Sequence, residues 1–490
     1  MQSTLNREQS ARSTAATPKS SVESWICLAC AAALLLVADG RDTAALAIWP
    51  AEALLLRFLR TQPMLRGLAV LYVLRVAMIP LVQRGMIPIP IPYFYIFLVI
   101  AGLSGLIPFV IDRWIAPRLS GFAQTMVFPA ALVVQQYIYG KGSVGSWGSI
   151  AYSQSGNLGL EQLLSVTGLS GIVFLIGWFA SSVNWTWEGR SPRRLNAFAT
   201  VMGMVLLGGE LRLALAPPSA STVRVASLSR NDSIAHGGDK SAAVNMDLLA
   251  RSEREARAGA RIVFWAEGNA QLQKQDEPQF VSQGSDLARK YGIYLGMALS
   301  VWTPGAPKPL ENKVVLIAPD GQVAWQYWKV RLTPGPEMAA SVPTDGRLKT
   351  LDTPYGRVTT PICYDMDFPS LLAQAGHSRV DLTLSPANDW RAIDPRHTEI
   401  ASYRAIEQGF NLVRQSSGGL SAAYDYEGHL LATTDSYHGG DGTLVAEVPT
   451  RGVPTIYSVL GDWFVLVSGI ILLGVVVKGL RRNSAHPDTL

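Results

Sequence analysis

Three reactive side chains follow directly on short β-like runs. Glu267 ends the run Arg261-Ile-Val-Phe-Trp-Ala-Glu267, Lys329 follows Val323-Ala-Trp-Gln-Tyr-Trp328, and Cys363 follows Arg357-Val-Thr-Thr-Pro-Ile362. Strand ends of one sheet lie near one another, so a carboxylate, an ammonium and a thiol are expected to converge on one site. Their chemistry is coherent. A thiolate attacks a carbonyl, the carboxylate takes the thiol proton and returns it to the leaving group, and the ammonium stabilises the oxyanion together with backbone N–H groups. A helix is predicted from Asp367 to Ala375 with Cys363 at its opening, where the helix dipole favours thiolate. His397 offers the other common activation, a Cys–His pair, and reads equally as a solvated residue ahead of a helix predicted over 398–409.

The elements that must position these groups occupy residues 222–456. Nine β-rich runs (223–228, 261–265, 293–301, 313–317, 323–328, 357–362, 382–385, 411–415 and 444–448) interleave with helical patterns at 240–259, 277–290, 367–375 and 398–409. Alternation of this kind implies layered helices and sheets. Proline clusters at Pro217-Pro218 and between Pro449 and Pro454 punctuate the two ends.

The rest of the chain is of a different kind. Only 16% of the 490 residues are charged and 48% are hydrophobic, whereas soluble domains carry about 25% charge. Seven apolar stretches, at 25–38, 43–56, 67–83, 91–111, 122–140, 163–184 and 195–215, precede the α/β region, and an eighth, at 462–477, follows it. A helix needs about 20 apolar residues to cross a bilayer, so the first two are short. The division expected is a disordered cytoplasmic tail at 1–24 and a membrane domain of seven helices at 25–216. A periplasmic catalytic domain at 222–456, an eighth transmembrane helix at 460–479 and a cytoplasmic tail at 480–490 complete it.

Orientation follows from the Lys and Arg in the short connections. Fourteen lie on one side: Arg7, Arg12, Lys19, Arg57, Arg60, Arg66, Arg113, Arg118, Arg190, Arg193, Arg194, Lys478, Arg481 and Arg482. Arg41, Arg84 and Lys141 lie on the other. Both termini are therefore expected inside and residues 222–456 outside. The net charge of +5 reflects this topology and not a nucleic-acid surface, since no long basic run exists. Three cysteines exclude a disulfide-stapled scaffold, and Cys27 and Cys30 read as packing residues of an apolar helix. Arg75 and Glu210, placed within apolar spans, require either a structural partner or lipid headgroups.

Trp265-Ala-Glu267, Tyr327-Trp-Lys329 and Ile362-Cys363-Tyr364 resemble the Glu, Lys and Cys motifs of the carbon–nitrogen hydrolase (nitrilase) superfamily. The eight-span frame narrows the resemblance to its membrane branch, the apolipoprotein N-acyltransferases. Also similar to that family are Asn312, Leu332-Thr-Pro-Gly-Pro-Glu337, Asn388-Asp389, Arg404-Ala-Ile-Glu407 and Arg414. Ala151-Tyr-Ser-Gln154 and Gly168-Leu-Ser-Gly-Ile-Val-Phe174 add matches in the membrane half. The resemblance implies an αββα sandwich carried on a multi-span α-helical membrane domain in the bacterial inner membrane. It implies transfer of a fatty acyl chain from a phospholipid to the cysteine as a thioester, and then to the α-amine of a diacylglyceryl-modified lipoprotein cysteine. Phospholipid donor, lipoprotein acceptor and membrane are the implied partners, with no nucleic acid, no metal and no diffusible cofactor. Carried over residue by residue, Glu267 is the general base, Lys329 the oxyanion stabiliser and Cys363 the nucleophile. Glu337 is a second carboxylate, Tyr364 orients the site and Asn388 supports it.

The chain departs from the family at several of these motifs. It has Ala266-Glu267 in place of Pro-Glu, Cys363-Tyr364-Asp365 in place of Cys-Tyr-Glu, and Asn388-Asp389-Trp390-Arg391-Ala392 in place of an aromatic-rich loop. Ser229-Arg-Asn231 stands where a strand usually ends in Gln-x-Asn. Two other functions are compatible with these residues: a membrane-anchored amidase or nitrilase-like hydrolase with the same triad, and a non-enzymatic scaffold whose altered loops have closed the site.

Overall fold

The computed structural model describes residues 21–189, 191–215, 221–230, 239–439 and 442–485. Most of the tail expected at 1–24, the Pro217-Pro218 junction, Asn231 and residues 486–490 of the second tail lie outside the described residues.

Eight apolar helices coincide with the eight apolar stretches: α1 Ser21–Ala38, α2 Ile48–Thr61, α3 Met64–Val82, α4 Tyr93–Ile115, α5 Val127–Gly140, α6 Leu169–Gly189, α7 Asn196–Leu215 and, after the α/β region, α12 Trp463–Ala485. Their apolar side chains point both ways. Leu55, Leu59, Phe109, Phe128, Leu132, Ile172 and Ile176 are buried in one core, whereas Val73, Ile96, Ile100, Leu207 and Ile470 are exposed. Faces of this kind suit hydrocarbon as solvent, where a helix satisfies its own backbone.

Five of the eight helices, α3, α4, α6, α7 and α12, are long and apolar enough to cross a membrane. Of the other three, α1 is a shorter apolar helix, and α2 and α5 have 14 residues each. At 1.5 Å per residue such helices reach ~21 Å, short of a hydrocarbon core of about 30 Å. Buried charges in the bundle are paired. Arg60 donates to both oxygens of Asp112 at 2.8 and 2.9 Å, and Arg75 lies 3.5 Å from Glu52 with its guanidinium over the Phe109 ring. Arg75 thus has a structural partner, whereas the exposed Glu210 rests against Gly159. Cys27 is buried and Cys30 exposed on α1.

The α/β region holds two sheets face to face. The first has the order β13-β1-β2-β4-β5-β6, with β3 beside β4. Its strands are β1 Thr222–Leu228, β2 Ile262–Trp265, β3 Ala270–Gln273, β4 Tyr294–Trp302, β5 Leu310–Ile317, β6 Val323–Trp328 and β13 Thr443–Pro449. The second has the order β12-β11-β10-β9-β8-β7. It is built from β7 Thr350–Thr353, β8 Gly356–Thr359, β9 Leu382–Ala387, β10 Asn411–Ser416, β11 Leu420–Tyr424 and β12 Leu430–Asp435. Val225, Ile262 and Phe264 of the first sheet meet Val358, Leu384 and Val413 of the second in a common core.

Helices α8 Asp239–Arg257 and α9 Glu277–Tyr291 cover the first sheet, and α10 Pro369–His377 and α11 Arg396–Gln408 lie outside the second, completing an αββα sandwich. Their ends are written locally: α9 has a proline in its first turn, Arg289 and Lys290 in its last, and Gly292 in the left-handed conformation as a stop. All nine β-rich runs are strands. The four additional strands, β3, β7, β11 and β12, have four to six residues, and two of them are sheet edges whose alternation is diluted by Thr and Asp.

Strand β13 pairs antiparallel with β1 in the register Thr222↔Pro449, so the connections to α7 and to α12 leave the sandwich side by side. Helix α11 faces the bundle: Ile400, Tyr403 and Ile406 belong to the bundle's core, and Arg396 and Tyr403 donate to the carbonyls of Tyr152 and Ala151. Buried Arg404 reaches the Tyr152 hydroxyl and pairs with Glu407 at 3.1 Å. The two motif stretches at 151–154 and 404–407 therefore meet at this junction.

Candidate active site

Glu267 and Lys329 come from the ends of β2 and β6, with β4 and β5 between them. Lys329 Nζ donates to Glu267 Oε1 at 2.8 Å and to Glu337 Oε2 at 2.9 Å. Asn312, on β5, closes the group by donating to Glu267 Oε1 at 2.6 Å and to Glu337 Oε1 at 2.8 Å. The backbone N–H of Thr333 adds a bond to Glu337 Oε2. An ammonium has three donors, so one N–H of Lys329 remains for an incoming group. Glu267 Oε2 accepts from no group among the described residues, leaving that oxygen to receive a proton.

Burial alone would lower the Lys329 pKa, but the two adjoining carboxylates outweigh it and raise it well above the usual value. Burial in turn opposes ionisation of Glu337, and Lys329 with the Thr333 N–H pulls it below the normal carboxylate range. The group is thus an ammonium held between two anions and a bridging amide.

Cys363 arrives from the other sheet. It follows β8 in the second sheet, so the three groups are not strand ends of one sheet but meet across the sandwich. It is buried, with φ +48°, at the head of a single 3-10 turn, Cys363–Asp367. The expected helix begins only at Pro369, so no helix dipole acts directly on the sulfur. Burial, then Glu267, push the thiol well above its ordinary value against the pull of Lys329. Cys363 is thus held as a thiol, the opposite of the expected dipole-stabilised thiolate.

Asp365 fastens this turn to the lysine's strand. Its oxygens accept from the Tyr327 hydroxyl (2.7 Å) and from the N–H groups of Ile362 (2.9 Å), Val330 (3.2 Å) and Arg331 (2.7 Å). An Asp, one methylene shorter than the Glu of the motif it resembles, therefore still ties the Cys363 turn to the strand that carries Lys329. Asp365→Ala strands four donors, of which the Tyr327 hydroxyl and the Ile362 N–H are buried, and a buried donor left unsatisfied costs about 1–3 kcal/mol. We expect a stability loss of about 3 kcal/mol or more, measured by denaturant melting of the detergent-solubilised protein through tryptophan fluorescence. An unchanged melt would show that the turn holds itself.

A second buried polar group lies on the far side of the sulfur. Cys363 Sγ is 4.0 Å from Asp389 Oδ1. Asp389 accepts from Arg414 at 3.2 and 3.3 Å and lies 2.6 Å from His397 Nδ1, while His397 Nε2 faces Asp367 at 3.4 Å. His397 is thus buried in an ion cluster and not solvated at a helix start, and its nearest polar partner is Asp389 and not the thiol. Burial opposes its protonation, but Asp389 prevails and moves its pKa up to about 9.

Glu337 stands in a short helical turn, Pro336–Ala340, and its side chain completes the lysine group. Tyr364 points away, donating to the carbonyl of Ser143 in the bundle at 2.8 Å. Asn388 accepts from Ser417 at 2.8 Å, and its amide lies near Gly268, next to Glu267. Loops from the bundle brace the site. Ser146 donates its N–H and hydroxyl to the carbonyl of Asp367, an approach that leaves no room for a side chain at Gly145, whose Cβ would fall 2.5 Å from that same carbonyl oxygen. Trp390 donates to Gly85, and Gly335, at φ +108°, lies against Pro88 and Pro90. Two loops flanking the site therefore rest on the proline-rich α3–α4 connection.

Asn312 and Arg414 carried motif matches but no assigned role, and the shared cluster of Asp389, His397 and Arg414 was not foreseen. A signal existed in Arg414, a lone charge in the otherwise apolar start of β10, Asn-Leu-Val-Arg; charges that deep are rarely unpaired.

Residues 238–455 match the carbon–nitrogen hydrolase family. Over 377 residues the chain is 27% identical to the apolipoprotein N-acyltransferase of Geobacter metallireducens, covering 69% of this chain and 71% of that protein. It is likewise 27% identical over 411 residues to the apolipoprotein N-acyltransferase of Bradyrhizobium diazoefficiens, covering 74% and 75%. Among solved structures, an amidase from Nesterenkonia sp. is similar at 22% identity with a TM-score of 0.39, covering 48% of this chain and 94% of that one.

Proposed function

Taking the chain as a bacterial membrane enzyme of the carbon–nitrogen hydrolase superfamily, similar to N-acyltransferases, we propose that it moves a fatty acyl chain from a phospholipid to the N-terminal amine of a diacylglyceryl-modified lipoprotein cysteine. The observation that carries this reading is the gathering of Glu267, Lys329 and Cys363 at one buried point braced by loops of an apolar helical bundle.

Glu267 is the base in this scheme. Its free oxygen takes the proton of Cys363 as the sulfur attacks the ester carbonyl, and the remaining N–H of Lys329 meets the developing oxyanion. Collapse expels the lysophospholipid, which takes the proton back from Glu267, and leaves a thioester. The acceptor amine then attacks that thioester, Glu267 removing its proton, and the thiol is regenerated. Glu337 and Asn312 keep Lys329 and Glu267 in place throughout. Tyr364 serves by docking the nucleophile's turn to the bundle, and Asn388 by supporting the backbone beside Glu267.

The membrane domain is assigned to 25–216 with the eighth helix at 460–479, and the catalytic domain to 222–456. The asymmetry of basic residues supports a periplasmic catalytic domain, with both termini cytoplasmic in the inner membrane.

The test is to incubate purified protein with a phospholipid and a diacylglyceryl peptide and to weigh the peptide. A mass gain of one acyl chain is expected, dependent on both substrates. Free fatty acid released at an unchanged rate with or without the peptide would overturn acyl transfer in favour of hydrolysis.

A further inference from the structure

We infer that Asp389 is a positioning residue for the nucleophile: locked by Arg414 and His397, its carboxylate holds Cys363 as a thiol with the S–H turned toward it, restraining the sulfur until an acyl donor is seated. This rests on the reading of Cys363 as the nucleophile.

The geometry gives the thiol one hydrogen-bond acceptor among the described residues, Asp389 Oδ1 at 4.0 Å. The anion itself cannot turn away. Arg414 grips both of its oxygens and His397 holds one, and all three side chains are buried. These cations also keep Asp389 well below the normal carboxylate range against its burial, so it is a poor proton acceptor and accepts only a hydrogen bond. The base must then be another group, and Glu267 has a free oxygen.

The charges facing Cys363 come from four elements: Glu267 after β2, Lys329 after β6, Asp389 after β9 and Arg414 on β10. Asp367, in the turn that Cys363 begins, and His397, on α11, lie behind Asp389. Two anions and two cations face the sulfur, so removing one anion tips the balance toward thiolate. Asp389 also belongs to the 388–396 loop, which Asp394 and Arg396 fasten to Arg41 and Asp39 of the bundle. The restraint on the sulfur is therefore anchored in the membrane region.

The experiment follows alkylation of full-length protein in detergent by iodoacetamide between pH 6 and 10. Modification of Cys363 is read by peptide mass spectrometry, which separates it from Cys27 and Cys30. Asp389→Asn should move the midpoint of the Cys363 profile down by one pH unit or more. For each pH unit that the midpoint falls, alkylation at pH 7 should rise about threefold, because the weaker nucleophilicity of a more acidic thiol offsets part of its tenfold gain in thiolate. Acyl loading of Cys363 from phospholipid should nevertheless fall tenfold or more in the same variant, and Asp389→Glu should restore part of it.

A thiol more reactive toward the reagent yet slower toward substrate is not what simple loosening produces. His397→Gln, which leaves the anion less neutralised, should move the midpoint up. It carries the test if Asp389→Asn does not fold. An unmoved midpoint in a folded Asp389→Asn protein, or in His397→Gln when it alone folds, overturns the role. If wild-type protein takes up no acyl chain while the variants' midpoints still move, the acyl-transfer reading falls and the restraint stands.

Discussion

Cys363→Ala protein incubated with phospholipid is expected to take up no acyl chain at all, whereas wild type gains one chain on Cys363 in a linkage cleaved by neutral hydroxylamine. The expectation follows from the order of events proposed above: the lysophospholipid leaves before the amine is needed, so the acyl-enzyme can be isolated when the acceptor is withheld. The small side chain removes the sulfur and little else from the buried turn, so the protein should melt close to wild type. Cys363→Ser tests activation separately. A hydroxyl is far harder to ionise than a thiol, and with one carboxylate as base its adduct should be barely detectable. Intact-mass measurement reads all three proteins. An adduct of undiminished size in Cys363→Ala would place the acyl chain on another residue and remove the sulfur from the chemistry.

Glu267→Gln and Lys329→Ala should each slow formation of that adduct by orders of magnitude, for different reasons. Gln keeps the shape and one acceptor oxygen for Lys329 and Asn312, which both donate to Glu267 Oε1. What it loses is the base, worth about 10²–10⁴-fold. Its melting should therefore stay near wild type while its rate collapses.

Lys329→Ala removes one oxyanion donor, worth about 10²–10³-fold. It also leaves buried Glu267 beside half-buried Glu337, two carboxylates held together only by Asn312 and Thr333. Breaking a buried ion pair in this way costs about 3–5 kcal/mol, so this variant should lose stability as well as rate. Single-turnover loading and a denaturant melt on the same samples separate the two effects. A Glu267→Gln protein that loads at the wild-type rate would move the base elsewhere, and His397, at 2.6 Å from Asp389, would be the group to examine next.

The elements and their chemical content are legible along the chain. Short β-rich runs leading to Trp-Ala-Glu267, Tyr-Trp-Lys329 and Pro-Ile-Cys363 mark a carboxylate, an ammonium and a thiol near strand ends, because β-branched and aromatic content is written locally in the chain. Apolar runs mark the helices for the same reason, since hydrophobicity is written residue by residue. An apolar run does not mark where its helix begins: the run at 43–56 is helical over Ile48–Thr61, and that at 122–140 is α-helical only from Val127.

Which sheet each strand joins is set by long-range pairing. Nothing local distinguishes β8 from β2, yet one is in the second sheet and the other in the first, so Cys363 meets Glu267 and Lys329 across the sandwich. The same long-range pairing sets Asn312 between two carboxylates 45 and 25 residues away. It also packs Asp389 between the thiol and Arg414, 26 and 25 residues distant. Burial then reverses the charge state expected of the nucleophile: a thiol enclosed with Glu267 and Asp389 is held protonated, because desolvation is a property of the packed neighbourhood and not of the residue that enters it.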